Sequence, residues 1–193
     1  MKRLGYKPEG PVAHREDYEV QACPHKVAKA LVESHHYAKG AANTSVAAHC
    51  LVRRSTGEVV GAALWMPPLK KAAVSVDPAG WRDVLALSRL VVAPGEPKNA
   101  TGMLLARSMR LVPRRWKTLV TYADQLHGHE GTIYKATNWL DMGLVRGAPT
   151  WVDAEGRQVA TRHTKNRTVA QMIEAGFKRL GTSKKRKFVF RRS

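Results

Sequence analysis

Apolar positions along this chain change period several times, and each change marks an element. Cys23-Pro24-His25 opens a helix with Pro24 in its first turn and Val27, Ala28, Leu31 and Val32 as the apolar stripe, delivering His35-His36-Tyr37 at its end. Residues 46–53 and 58–65 form a hairpin through Arg54-Ser55-Thr56-Gly57, and Pro67-Pro68 stops its second strand, with a mobile loop after it. Residues 81–92 make a central strand region in which Ser88 and Arg89 interrupt an apolar run that Ala93-Pro94-Gly95 closes. Lys98-Asn99-Ala100-Thr101-Gly102 then leads into a helical pattern over 103–111, followed by a strand at 118–123. A short helix starts at Gly131-Thr132, and a last strand pair at 143–153 and 186–192 is separated by a helix over 169–176 that Gly176 caps. In the final strand Phe188 and Phe190 alternate with Lys187, Val189 and Arg191, which predicts one buried face. The fold class is α/β (α+β), a central mixed twisted sheet flanked by helices. A chain of 193 residues with 44% hydrophobic content supports one core, so we read residues 1–22 as an extended surface segment and 23–193 as a single domain.

Charge narrows the partner. Lys and Arg number 33 against 15 Asp and Glu, a net charge of +18, which exceeds what solubility needs and points to polyphosphate. The excess is clustered: Lys98, Arg107, Arg110, Arg114, Arg115 and Lys117 occur with no acid between them, and every charge after Glu174 is basic. Arg107, Arg110 and Arg114, at i, i+3 and i+7, are expected to project outward from a packed helix. Arg115, Lys184 and Lys185 extend the candidate nucleic-acid surface. Cys23 and Cys50 lie far apart and lack a Cys-x-x-Cys partner, so neither a disulfide nor a zinc site is expected, and a reducing cytoplasm suits the chain. No apolar run approaches the roughly 18 residues that a membrane helix needs.

The densest chemistry lies between Thr121 and Trp139. Asp124 ends a strand, at the edge where open α/β sheets bind ligands, and His127, His129 and Tyr134 follow within a few residues. A metal is not favoured, iron included, because His127 and His129 at i and i+2 in a Gly loop lack helical ligand spacing and no cysteine assists.

The order strand, small-residue loop, helix, strand, helix over residues 86–139 is similar to the core of the Gcn5-related N-acyltransferase fold. More narrowly, His35-His36-Tyr37, Leu87-Ser88-Arg89-Leu90, Tyr122-Ala123-Asp124 and Gly131-Thr132-Ile133-Tyr134-Lys135-Ala136-Thr137-Asn138-Trp139 resemble the Mom family of phage DNA-modification proteins over about residues 25–178. The resemblance implies conversion of adenine in phage double-stranded DNA to an N6-carbamoylmethyl-type derivative that blocks host restriction. In the acyltransferase fold the helix N-terminus after the loop holds the donor's pyrophosphate, which makes Asn99, Thr101, Gly102 and Asn138 the candidate donor contacts. The loop before Gly102 lacks the full Gln/Arg-x-x-Gly-x-Gly/Ala pattern of acyl-CoA enzymes, so the donor is open between acyl-CoA (acetyl-CoA) and another activated carrier such as aminoacyl-tRNA.

Adenine N6 is a poor nucleophile because its lone pair is delocalised, so it needs a proton acceptor as it attacks. Asp124 is the candidate base, Tyr134 the acid that protonates a leaving group, and Ser88 a donor to a carbonyl oxygen. His36 and Tyr37 are expected to cover the acceptor, with Trp65 stacking on an extruded base. Arg89 is kept beside Ser88 as a DNA contact, although a regular strand lets only one of the two face the cleft. N-acyl transfer to protein or RNA amines is the alternative, and an inactive DNA-binding scaffold the third reading.

Overall fold

The computed structural model describes residues 12–43, 45–159 and 167–192. Seven strands form one sheet: β1 (Tyr18–Ala22), β2 (Ala47–Arg53), β3 (Val59–Met66), β4 (Val84–Val92), β5 (Thr118–Asp124), β6 (Leu140–Val152) and β7 (Lys178–Arg191). Their spatial order is β1-β2-β3-β4-β5-β7-β6. Among the described strands only β4 and β5 pair in parallel, and the crossover that parallel pairing requires is helix α3 (Ala100–Leu111). Four further α-helices among the described residues are α1 (His25–His35), α2 (Lys70–Val74), α4 (Thr132–Ala136) and α5 (Val169–Glu174).

Both faces of the central sheet are covered, which is why β2 and β3 read as continuous apolar runs. On one face Leu104, Leu105 and Met109 of α3 join Leu51, Ala63, Leu85, Leu119 and Phe188. On the other, Ala28 and Val32 of α1 meet Cys50, Ala62, Leu64 and Val91, and Ala73 of α2 belongs with Val84, Val120 and Val189. Val189 is therefore buried opposite Phe188, not on a solvated face as the alternation in the last strand predicted.

Three expectations need correction. The segment before Cys23, expected to wrap the surface, supplies edge strand β1, because Tyr18 buries its ring while the backbone extends β2; the first eleven residues lie outside the described ones. The loop expected after Pro67-Pro68 contains α2, whose five residues are too few to show a period. Cys23 and Cys50 form a disulfide with Cα atoms 5.8 Å apart. The antiparallel β1–β2 register sets Gln21 opposite Cys50, and the Cys23 N–H donates to the Ala48 carbonyl at 3.0 Å, so the two cysteines lie diagonally across the strand pair and within reach of each other. That proximity depends on strand pairing and leaves no trace in cysteine spacing.

Candidate active site

Strands β4 and β5 begin side by side and then part. Their pairing covers only Val84, Leu85 and Ala86 against Thr118, Leu119 and Val120. At the same level the β3–β4 register slips: Leu64 faces Arg89 and Trp65 faces Leu87, leaving Ser88 as the extra residue of a bulge. The Ser88 hydroxyl donates to the Leu64 carbonyl at 3.0 Å, and Thr121 donates to the Leu87 carbonyl at 3.3 Å. Between the parted strands lies a cavity of about 350 Å³ that His36, Tyr37, Ser88, Arg89, Asp124 and Tyr134 all line. Because the bulge breaks the alternation, Ser88 and Arg89 share the cavity, which corrects the expectation that only one would.

Asp124 is the last residue of β5 and only 1% exposed. Its Oδ1 accepts from the Leu126 backbone N–H at 3.1 Å, capping the turn over Gln125–His127, and its Oδ2 lies 4.0 Å from Lys185 Nζ on the neighbouring strand. Tyr134, on α4, is fixed by ring contacts with Phe188 at 5.1 Å and Trp139 at 5.7 Å. Burial raises its phenol above the ordinary tyrosine value, and the Thr121 hydroxyl offsets part of that rise. Tyr134 is consequently a held proton donor at neutral pH.

His36 and Tyr37 leave α1 at its C-terminal end and form an aromatic wall. His36 Nδ1 accepts from the Ala38 N–H at 3.1 Å, placing the neutral ring's proton on Nε2. Burial, reinforced by Arg89, His129 and His127, pushes its pKa down to about 4. Tyr37 packs on His36 at 4.3 Å, His127 at 4.0 Å and His129 at 5.3 Å. Burial and then the Asp124 charge push its phenol up to about 12. Arg89 donates through Nε to the Gly40 carbonyl at 2.8 Å and through Nη1 to the Ser88 carbonyl at 2.7 Å, so it belongs to the cavity wall and not to an outer DNA surface.

The other sequence candidates scatter. Thr101 reaches the same cavity, whereas Asn99 and Gly102 line a second trough of about 990 Å³ along α3, beside Lys98, Met103 and Arg110. Asn99 is engaged in holding the N-terminal segment: its Nδ2 donates to the Ala13 carbonyl and its Oδ1 accepts from the Ala13 N–H, both at 2.8 Å. Asn138 lies in a third groove of about 440 Å³ with Arg110 and Arg114. Trp65 is fully buried and donates through Nε1 to Ser108 Oγ at 2.8 Å, so it cannot stack on a base. Arg107 turns inward, donating to the carbonyls of Tyr18 at 2.7 Å and Arg15 at 3.2 Å, which corrects its outward assignment. Arg110, Arg114 and Lys184 are exposed, and Arg115 lies over the Trp116 ring at 4.2 Å. Thr121 was missed from sequence; its buried hydroxyl reads as an ordinary strand residue until β4 and β5 separate around it.

Among the described residues, no group of three or more His, Cys, Asp or Glu side chains is placed to hold a metal ion, and no helix is long and apolar enough to cross a membrane.

Similar solved structures share the fold. A GNAT family acetyltransferase from Elizabethkingia anophelis with acetyl-CoA bound aligns with a TM-score of 0.53 at 9% identity, over 92% of this chain and 100% of that one. IAA acetyltransferase from Bacillus cereus aligns with 0.53 at 10% identity, over 91% and 99%. The ribosomal-protein-S18-alanine N-acetyltransferase from Escherichia coli aligns with 0.53 at 10% identity, over 90% and 93%. Identities this low establish the acetyltransferase fold and nothing finer. No curated protein matches the chain. The sequence profile of the Mom protein family matches residues 17–191, which takes in the parted strands, the aromatic wall and the whole sheet, and the chain belongs to that family.

Proposed function

We propose that this protein is a DNA-modifying transferase that places a small carbamoylmethyl-type group on the N6 amino group of adenine, protecting phage DNA from restriction inside the bacterial host cytoplasm. The observation carrying this reading is the shared cavity: a buried carboxylate at the end of β5 and a phenol held protonated on α4 open onto one space. A flat purine edge presented there meets Asp124, which accepts the N6 proton as the nitrogen lone pair is committed to the new N–C bond. The leaving group departs with the electrons of its bond to the transferred carbon and takes a proton from Tyr134. A proton relay from Asp124 to Tyr134 through solvent restores both groups. Tyr37 supplies a stacking face for the extruded base, whose unstacking costs a few kcal/mol.

The donor is a carrier with phosphate charge, an acyl-CoA or an aminoacyl-tRNA. When bound, it supplies an electrophilic carbonyl carbon and the leaving group, so transfer first gives an N6-acyl adenine. A glycyl group placed this way has the same atoms as a carbamoylmethyl group and becomes one by a rearrangement that moves the N6 bond from the carbonyl carbon to the methylene carbon. The trough along α3 suits such a carrier: Lys98 and Arg110 provide cations at its wall, and Met103 and Ile133 an apolar floor.

Nucleoside mass spectrometry of DNA from expressing cells tests the reading. A modified deoxyadenosine is expected with the native chain. Asp124→Asn and Tyr134→Phe should each lower its yield by about 10²-fold while duplex binding persists. Product on RNA or protein amines alone would assign the fold to the alternative acceptor class.

A further inference from the structure

We propose that the outer half of the β6–β7 hairpin is a ribbon that lies along duplex DNA beside the extruded nucleotide. This rests on the adenine-modification reading above.

The first ground is geometric. Pairing of β5 with β7 ends at Asp124 opposite Lys185, but pairing of β6 with β7 runs on to Val152 opposite Lys178. Residues 178–184 therefore extend past the end of β5 with β6 as their strand partner, a reach of roughly 24 Å at about 3.4 Å per residue. A two-stranded antiparallel ribbon has the width that a major groove admits. The ribbon is a folded arm, since Trp151, Val152 and Met172 of the intervening α5 are buried.

The second ground is charge. From Lys178 to Arg192 there are eight basic residues and no acid. Those near the sheet are occupied: Arg186 pairs with Asp141 at 3.1 Å, Lys187 and Arg191 donate to the carbonyls of Ser75 and Val76, and Arg192 donates to carbonyls at the end of α3. Lys178, Arg179 and Lys184, on the ribbon itself, are exposed and make no ion pair with a carboxylate among the described residues. Charge left over at the outer end, after the inner basic groups have been used by the fold, is suited to phosphates.

The third ground is position. The ribbon grows from the cavity. Lys185 Nζ stands 4.0 Å from Asp124 Oδ2, and a Cβ added at Gly181 would lie 3.5 Å from the Leu126 side chain, two residues beyond Asp124. A duplex held along the ribbon thus has its neighbouring nucleotide at the cavity mouth.

The test is fluorescence anisotropy with a short adenine-containing DNA duplex across a salt series. It compares the native chain with the triple variant Lys178→Ala/Arg179→Ala/Lys184→Ala and a control, Lys26→Ala/Lys71→Ala/Arg82→Ala, that removes equal charge from exposed positions elsewhere. Melting curves check folding of all three. The ribbon variant should lower the slope of log affinity against log salt by roughly 2 to 3, and the control by less than about 1. Equal losses from both variants overturn the ribbon as the contact, leaving only general attraction. Unchanged duplex binding with lost single-stranded RNA binding overturns it in favour of RNA. Nucleoside analysis of DNA exposed to the native chain separates the two claims: if it makes no modified deoxyadenosine yet the ribbon variant loses duplex binding, the enzyme reading fails and the surface stands. If product forms and the ribbon variant binds like the native chain, the surface fails and the enzyme reading stands.

Discussion

Gly131 shows how one residue holds the candidate site groups in place. Its φ is +78°, and it is the residue before α4, so it sets the direction in which Tyr134 leaves the 125–130 loop. A Cβ there would overlap the Phe188 ring, which is fully buried and touches Tyr134. Strained backbone and a core clash act together, so Gly131→Ala should cost at least about 3 kcal/mol in urea unfolding. It should also reduce transfer beyond the stability loss, because Phe188 cannot move without turning Tyr134. A measured cost below about 1 kcal/mol would mean that the α4 entry is loose and that the phenol's placement needs another explanation. The neighbouring Gly128, also at positive φ, has open space around its Cβ position and carries backbone strain alone.

At the level of elements, the disulfide between Cys23 and Cys50 ties the chain two residues ahead of α1 to the middle of β2, and α1 in turn ends at the His36–Tyr37 wall. Closing a span of 27 residues restricts the unfolded chain, an effect of about 3 kcal/mol. Oxidised protein should therefore melt higher than protein treated with dithiothreitol, and Cys23→Ser should match the reduced form. Identical melting of the oxidised, reduced and substituted chains would show that β1 and α1 are held by packing alone. The hairpin at 46–65, the strand ending at Asp124 and the helix over 103–111 were legible because a fixed period or a stop signal lay within each, although the helix starts earlier, at Ala100, and takes in Thr101 and Gly102, which read as loop. The β1 edge strand, the disulfide and the Ser88 bulge were not, because each is set by which strand lies alongside and in what register. Trp65 failed for a related reason: an aromatic near a strand end looks available until helices are seen to cover both sheet faces. Asp124 and Tyr134, ten residues apart, come to one cavity because the chain makes a single tight return, and a short return is the kind of proximity that sequence reports.

For the whole molecule, two buried histidines make the fold sensitive to acid. His36 at the cavity and His49 beneath α3, the latter bonded to Ser108 Oγ at 2.7 Å, are both held neutral with pKa values of about 4, each chiefly by burial. In the unfolded chain both titrate near 6.5. Between those two values the unfolded chain binds protons that the folded chain does not, so stability falls as pH drops through this window and is fully present above it. His49, the more deeply buried by exposed area, should contribute on the order of 2 kcal/mol to that loss. A second effect runs in the same direction, since protons taken up by the folded chain at acid pH add to the repulsion within a molecule already at +18. Salt distinguishes the two. Raising ionic strength screens repulsion between surface charges but leaves the cost of burying a protonated imidazole nearly untouched. The melting temperature should thus decline from about pH 6.5 to 4 at both low and high salt, and His49→Gln should make that decline shallower. A decline that salt abolishes would assign acid sensitivity to the charge excess, and the buried histidines would then be ordinary core residues.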